Sequence, residues 1–315
     1  MIHSLSSRGF VLFFLSIIAL TCKASPAAPP VTAAALTPDG RQVVLGSQRG
    51  MDVRSWPDLK PRTTLATELD HIHDLSFSPD GKWLLVAGGS PAETGSVELR
   101  SWPDAKLIRR VREHGDLVYR VAWSPDGTRW ATAGADGICH VMAADTGQRT
   151  VRYEGHSRPV LTIAWLPGGQ TIVSAGVDQT LRLWNSTTGE HLRTLDNHVG
   201  SVNEVAVQPA ASRDIPATVA SISEDRTVRL WQPSIGRLLR FARLKSPPRT
   251  LVWSPDGNRL VIGCDDGHVR IVDANTADII SDTPAFSGRI HAILIDPRQS
   301  RILYAGDSEP TSAMW

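Results

Sequence analysis

A short proline turn returns seven times along this chain, and the interval between its copies constrains the fold more than any other feature. It reads LTPDG (Leu36–Gly40), FSPDG (Phe77–Gly81) and WSPDG twice (Trp123–Gly127, Trp253–Gly257). Looser copies are WLPGG (Trp165–Gly169), VQPAA (Val207–Ala211) and IDPRQ (Ile295–Gln299). The prolines are Pro38, Pro79, Pro125, Pro167, Pro209, Pro255 and Pro297, separated by 41, 46, 42, 42, 46 and 42 residues. Proline pre-sets φ for the first central position of a tight turn, and Asp-Gly tolerates the rest. A period of this size marks one small unit stacked on copies of itself.

Each unit reads as short strands. Apolar residues stand four before each proline (Ala34, Leu75, Val121, Ile163, Val205, Leu251, Ile293) and two before it (Leu36, Phe77, Trp123, Trp165, Val207, Trp253, Ile295). That step of two is strand periodicity. A second strand of small and β-branched residues follows the turn (TIVSAG, ATVASIS, RLVIGC), then a third (TLRLW, TVRLW, HVRIV) and a more polar fourth (HLRTLDN, RTVRYEG). Four strands per unit, with no room for helices, predict an all-β chain: a seven-bladed β-propeller of four-stranded antiparallel blades. The blades are expected to start near residues 32, 72, 117, 159, 201, 248 and 289.

VDQTLRLWNSTTGE (Val177–Glu190) and EDRTVRLWQPSIGR (Glu224–Arg237) resemble WD40 repeats, as do GHSRPV (Gly155–Val160) and NHVGSV (Asn197–Val202). The resemblance covers residues 32–315 and itself implies a seven-bladed ring. It also implies a buried hydrogen-bond tetrad in blade four (His156, Ser174, Asp178, Trp184) and in blade five (His198, Ser221, Asp225, Trp231). Blade three matches with His114, Thr132 and Asp136, but Met142 replaces the tryptophan. Blade six keeps Asp266 beside Ile262 and Val272 and is expected to lack the network; blades one, two and seven are expected to keep only Trp56, Trp102 and Trp315. These residues are structural.

The composition suits a large core, with 41% hydrophobic and 21% charged residues and a formal net charge of +1. A ring of repeats makes one domain of this length, and the balanced charge gives no reason to expect nucleic acid. The N-terminus differs from the rest. Arg8, the apolar run Phe10–Leu20 and the small residues of TCKASPAAPP follow the order of a secretory signal over residues 1–24, with cleavage after Ala24 or Ala27. The alternative is a lipoprotein signal with lipid on Cys22. Either way the mature chain is expected outside the cytoplasm, in the periplasm or beyond, with no transmembrane span. Residues 25–31 read as a Pro/Ala linker, and Ala24–Val31 is the spare segment expected to close blade seven as its outer strand. Cys139 and Cys264, three blades apart, are expected as free buried thiols.

The sequence holds no Cys-x-x-Cys-His, His-Glu-x-x-His, Gly-x-Ser-x-Gly or phosphate-cradling glycine loop, so no catalytic, cofactor or metal residues are assigned. His71 and His73 read as loop residues, and Asp265-Asp266 as a turn. The leading expectation is a non-catalytic scaffold that binds an unidentified protein partner. The alternatives are a propeller enzyme, lactonase-like or another hydrolase, using the central channel mouth, and an accessory module of a separately encoded enzyme. His73, Asp74, Arg120, Glu204, Arg249 and His291 are placed at that mouth. The extra length of blade two lies in AGGSPAETGS (Ala87–Ser96), expected as a loop whose Gly89, Ser90 and Glu93 form a partner-binding lip. A second surplus, AASRDIPA (Ala210–Ala217), falls on the opposite face.

Overall fold

A computed structural model of the chain describes residues 29–209 and 217–314. The expected leader over residues 1–24 with Cys22, Trp315 and most of the blade-five surplus lie outside them. The described chain is all β, in seven consecutive antiparallel sheets whose strands pair in chain order. Their first strands are Ala33–Leu36, His71–Phe77, Val118–Trp123, Val160–Trp165, Val202–Val207, Pro248–Trp253 and Ile290–Asp296. Consecutive first strands pack side by side around a central channel, and Ala33–Leu36 meets Ile290–Asp296 to close the ring. Six sheets have four strands; the last has three among the described residues.

The core lies between blades. Each of the seven inter-blade spaces holds its own apolar cluster, such as Val141, Tyr153, Ile163, Trp165, Ile172 and Trp184 between blades three and four. The tryptophans two before the proline tie each junction as well as fill it. Their indole N–H groups donate to carbonyls of the preceding blade: Trp123 to Ser76 at 3.1 Å, Trp165 to Ala122 at 3.0 Å and Trp253 to Ala206 at 3.1 Å.

Within blade four the chain of bonds runs from Asp178 to Trp184. Asp178 accepts from His156 Nδ1 (2.9 Å), which leaves Nε2 to accept the Ser174 hydroxyl (2.8 Å), and that oxygen accepts the Trp184 N–H (3.1 Å). Blade five repeats this with Asp225, His198, Ser221 and Trp231 at 2.8, 2.7 and 2.8 Å. Such a chain satisfies every buried polar group it contains. Blade three keeps His114 between Asp136 (3.0 Å) and Thr132 (2.7 Å). Its indole has moved one strand inward: Trp130 pairs with Met142 where blade four pairs Ile172 with Trp184. The Trp130 N–H and both nitrogens of buried His140, which stacks on His114 at 4.3 Å, have no partner among the described residues.

Blades one and two depart from expectation. Register places Arg54 opposite Val43 and Arg100 opposite Leu84, so arginines occupy the tetrad tryptophan's position. Trp56 and Trp102 stand two residues later, in the turn after the third strand. In blade seven that position is Ala313, opposite Ile302. Blade two fills the space with charge: Glu98, fully buried, accepts from Arg100 (2.9 and 2.6 Å) and Arg110 (2.7 Å). Burial works against the Glu98 charge, but the two guanidiniums outweigh it and hold its pKa down. In blade six Arg270, buried beside Ile262 and Val272, grips Asp266 at 2.7 and 3.1 Å. Cys139 and Cys264 are free and buried.

The seam between blades seven and one has the smallest apolar cluster, Val43, Leu45, Trp56 and Leu303, and is tied by polar contacts. The Trp56 N–H donates to buried Asp296 at 2.7 Å, the Ser312 hydroxyl to Pro57 O at 2.9 Å and Arg298 to Pro38 O at 2.7 Å. Of the expected closing segment only Pro29–Val31 is described. There the Val31 N–H meets Gly306 O at 2.9 Å, at the end of the second strand (Arg301–Gly306) and not along the outer edge of the third.

Two stability predictions follow from the blade interiors. Trp184→Phe removes a used hydrogen bond as well as volume, whereas Trp130→Phe removes an N–H without a protein partner. The first should cost about 1–2 kcal/mol more than the second in chemical denaturation. The second prediction concerns acid. Burial opposes the charges of Asp178 and Asp225, but hydrogen bonds from Thr180, His156, Thr227 and His198 outweigh it and bring both carboxyls down to about 2. Burial, then neighbouring His114, pushes His140 down to about 3, and burial lowers His198 against the pull of Asp225. A depressed carboxylate stabilises the fold above its unfolded pKa, and that stability goes as pH falls toward 2. A depressed histidine makes the unfolded chain bind the extra proton below about 6.5, so stability falls there too, by roughly 1.4 kcal/mol per pH unit per histidine. Between pH 6 and 4 His140→Phe should therefore flatten the pH dependence of the denaturant midpoint by one proton. An unchanged slope would refute neutral burial of His140.

Candidate partner-binding face

The channel mouth is built from residues five and six before each proline, where the inner strands begin. The fifth position carries Asp74, Arg120, Thr162 and Glu204 in blades two to five. There the acceptors reach one blade ahead: Asp74 takes the Val121 N–H at 2.9 Å, Thr162 the Val205 N–H at 3.1 Å and Glu204 the Leu251 N–H at 2.8 Å. An inner strand has no partner on its channel side, so these contacts satisfy N–H groups that would otherwise face the lumen. Arg120 lies across the opening, paired with Glu204 two blades on and with its Nε 3.5 Å from Asp74. Burial raises the pKa of Asp74, opposed by Arg120. Burial also opposes the Arg120 charge, but Asp74 and Glu204 outweigh it and raise its pKa. These three groups hold blades together and hold one another.

The sixth position carries His73, Tyr119, Arg249 and His291. His73 stands edge-on to Tyr119 (centroids 5.2 Å apart) and 6.3 Å from His71. Burial, then His71, pushes its pKa down to about 4, and its Nε2 has no partner among the described residues. His291 Nε2 lies 2.9 Å from Asp307. The mouth is a cavity of about 350 Å³ that brings His73, Asp74, Arg120, Glu204 and His291 together. Arg249 does not line it. Its guanidinium turns to a bidentate contact with Asp265 (2.6 and 2.8 Å) and a third bond to Glu224 (2.7 Å), which anchor it between blades five and six. No group of three or more candidate metal ligands occurs among the described residues.

The surplus of blade two is an arm, not a loop. Ala87 to Ser90 pair with Val97 to Thr94, which leaves only Pro91, Ala92 and Glu93 as the turn. The arm lies down on the mouth's rim. Ser90 bonds Asp70 before blade two, and the Ala92 N–H donates to Asp116 before blade three at 2.8 Å. Close approach explains its glycines: a Cβ on Gly88 would stand 1.8 Å from His71 O, and one on Gly95 would stand 2.0 Å from Asp116 O. Gly89, Ser90 and Glu93 thus sit on a pinned hairpin beside His71, His73 and Tyr119. Tyr119, Asp70 and Asp116 escaped sequence reasoning, although Tyr119 shares the position of His73 in its own repeat.

Comparison with known proteins agrees with this architecture. The family described as WD domain, G-beta repeat matches residues 60–92, 105–141, 147–185 and 189–232. The anaphase-promoting complex subunit 4 WD40 domain matches residues 217–295. Coronin-7 of Rattus norvegicus is 36% identical over 72 residues, covering 22% of this chain and 8% of that protein. The p21-activated protein kinase-interacting protein 1-like of Danio rerio is 29% identical over 110 residues, covering 35% of this chain and 28% of that protein. The matches thus span under a third of the length of either relative. With these repeats in register around a closed ring of seven blades, the chain belongs to the WD40-repeat family of β-propellers.

Proposed function

We propose that this propeller is a non-catalytic scaffold that captures another protein on the face formed by the channel mouth and the blade-two arm, and that it works in the cell envelope or outside the cell. The observation that carries the reading is the fate of the mouth's ionisable groups. Asp74 and Glu204 accept backbone N–H groups of neighbouring blades, and Arg120 bridges the two carboxylates. A general base has to be free to approach its substrate; Asp74 and Glu204 are instead committed to backbone N–H groups of neighbouring blades and to Arg120. The pinned arm offers instead a rigid edge at the rim, and a rigid edge lowers the ordering cost of binding. One matched relative is itself named as an interacting protein of a kinase. The envelope setting rests on the order of basic, apolar and small residues over 1–24.

Gly88 pairs with Ser96, so residues 89–95 are replaceable by a two-residue Asn-Gly hairpin turn without breaking register. This variant should fold, and its capture of the partner from the native envelope fraction should fall at least roughly tenfold, a loss of about 1.4 kcal/mol. Undiminished capture by the folded variant would sink the proposed face. The setting is tested separately by mass spectrometry of the protein from its native host. The mature chain should begin just after Ala24 or Ala27, or carry lipid on Cys22; an intact N-terminus in the cytosol would overturn it.

A further inference from the structure

The charges of this face are distributed unevenly. Around blades five to seven three acids at the rim are answered by bases: Glu224 and Asp265 by Arg249, Asp307 by His291. Around blades two and three, beyond the Asp74–Arg120 contact, three acids lack such an answer. Asp70 bonds the Ser90 hydroxyl, Asp116 accepts the Ala92 and Leu117 N–H groups, and Glu93 is exposed at the arm's turn. None of the three forms an ion pair among the described residues. On the inner strands that follow Asp70 and Asp116 stand three half-buried rings, His71, His73 and Tyr119, with successive centroids 6.3 and 5.2 Å apart. Two of these observations have independent origins: the rings come from the inner strands, the acids from the connections and the arm.

The geometry points to a subsite for one arginine side chain of a basic segment in the captured protein, seated against His71, His73 and Tyr119 and held by Asp70, Asp116 and Glu93. This rests on the scaffold reading and names the partner's chemistry. A cation is attracted to an aromatic face, and arginine's planar guanidinium both stacks on a ring and donates in pairs to carboxylates. His73 and Tyr119 do not compete with it. Burial holds His73 neutral at neutral pH, and burial together with Asp116 holds the Tyr119 phenol protonated above its ordinary range. The His73 Nε2 is buried and has no partner among the described residues. An acidic peptide would meet three uncompensated carboxylates and be repelled.

The test uses the whole protein and two capped pentapeptides, Gly-Ser-Arg-Gly-Ser and the same peptide with neutral, isosteric citrulline in place of arginine. Ring resonances of His73 and Tyr119 are followed by NMR during titration. The arginine peptide should shift them saturably, and the citrulline peptide should bind roughly tenfold more weakly or not at all. Tyr119→Phe should keep the response, Tyr119→Ala should lose it, and Asp116→Asn should weaken it more at low salt than at high. Equal responses to the two peptides, or none to either, would overturn the subsite, and this comparison stands even where Tyr119→Ala fails to fold. Capture that depends on the arm, in a protein indifferent to the arginine peptide, would overturn the subsite alone. Capture indifferent to the arm would overturn the scaffold face instead.

Discussion

Both faces of every blade are apolar, so a blade is buried only when it stands between two others. That one constraint organises the molecule. Repetition meets it six times without further provision, because each blade presents to the next the surfaces that the last one presented to it. The seventh junction has to join the two terminal blades, and its apolar cluster has four buried residues where the junction of blades five and six has 13. Polar ties make up the difference there. One is the Trp56 N–H on Asp296, a carboxylate 1% exposed to solvent whose other oxygen takes the Arg298 N–H. The doubled SWPD sequence gains a meaning from this. In blade one its tryptophan is the clasp of the ring, and in blade two Trp102 packs edge-on against Phe77 at 5.1 Å.

Blade interiors solve a common problem in three ways. Blades four and five use the complete tetrad, blade three a displaced indole, and blades two and six buried ion pairs. A buried ion pair is weak evidence of extra stability, since desolvation offsets much of the attraction. What all three share is direction: each fixes the connection ahead of the inner strand, and so fixes where the channel-mouth residues begin. The tetrad histidines His156 and His198 lie in those connections, and His114 ends the strand (Leu107–His114) that leads into one. The face is positioned by the interiors beneath it.

The period of the proline turns made the ring, its seven blades and the inner strands legible in the sequence, because turn chemistry and strand alternation are local. The tetrads of blades four and five were legible because every member matched at once. Blades one and two misled because a tryptophan near the third strand's end was aligned by its type, whereas strand pairing decides register and places Arg54 and Arg100 there instead. The arm was read as a loop for a related reason. Glycine, proline and small polar residues signal turns, and the close backbone approaches that demand glycine at Gly88 and Gly95 are invisible until His71 and Asp116 are in place. Arg249 occupies the same repeat position as His73, but its partners Asp265 and Glu224 come from distant parts of the sequence, and no periodicity encodes them.

Three departures from the repeat converge on the junction of blades two and three. The long interval from Pro79 to Pro125 contains the arm, the indole has moved to Trp130, and Asp70, Glu93 and Asp116 stand without basic partners. The displaced indole still fills the junction, but packing requires neither the arm nor the unpaired acids. A blade that only had to fill its place would do so with the shorter hairpin of blade four, and its surface acids would be more stable beside bases, as Glu224, Asp265 and Asp307 are. Unanswered like charges around a ring cluster raise the free energy of the unbound protein slightly, and a cation arriving from a partner relieves it. In a molecule built by copying, the place where the copy fails without a structural reason is the place to expect selection for contact with something else.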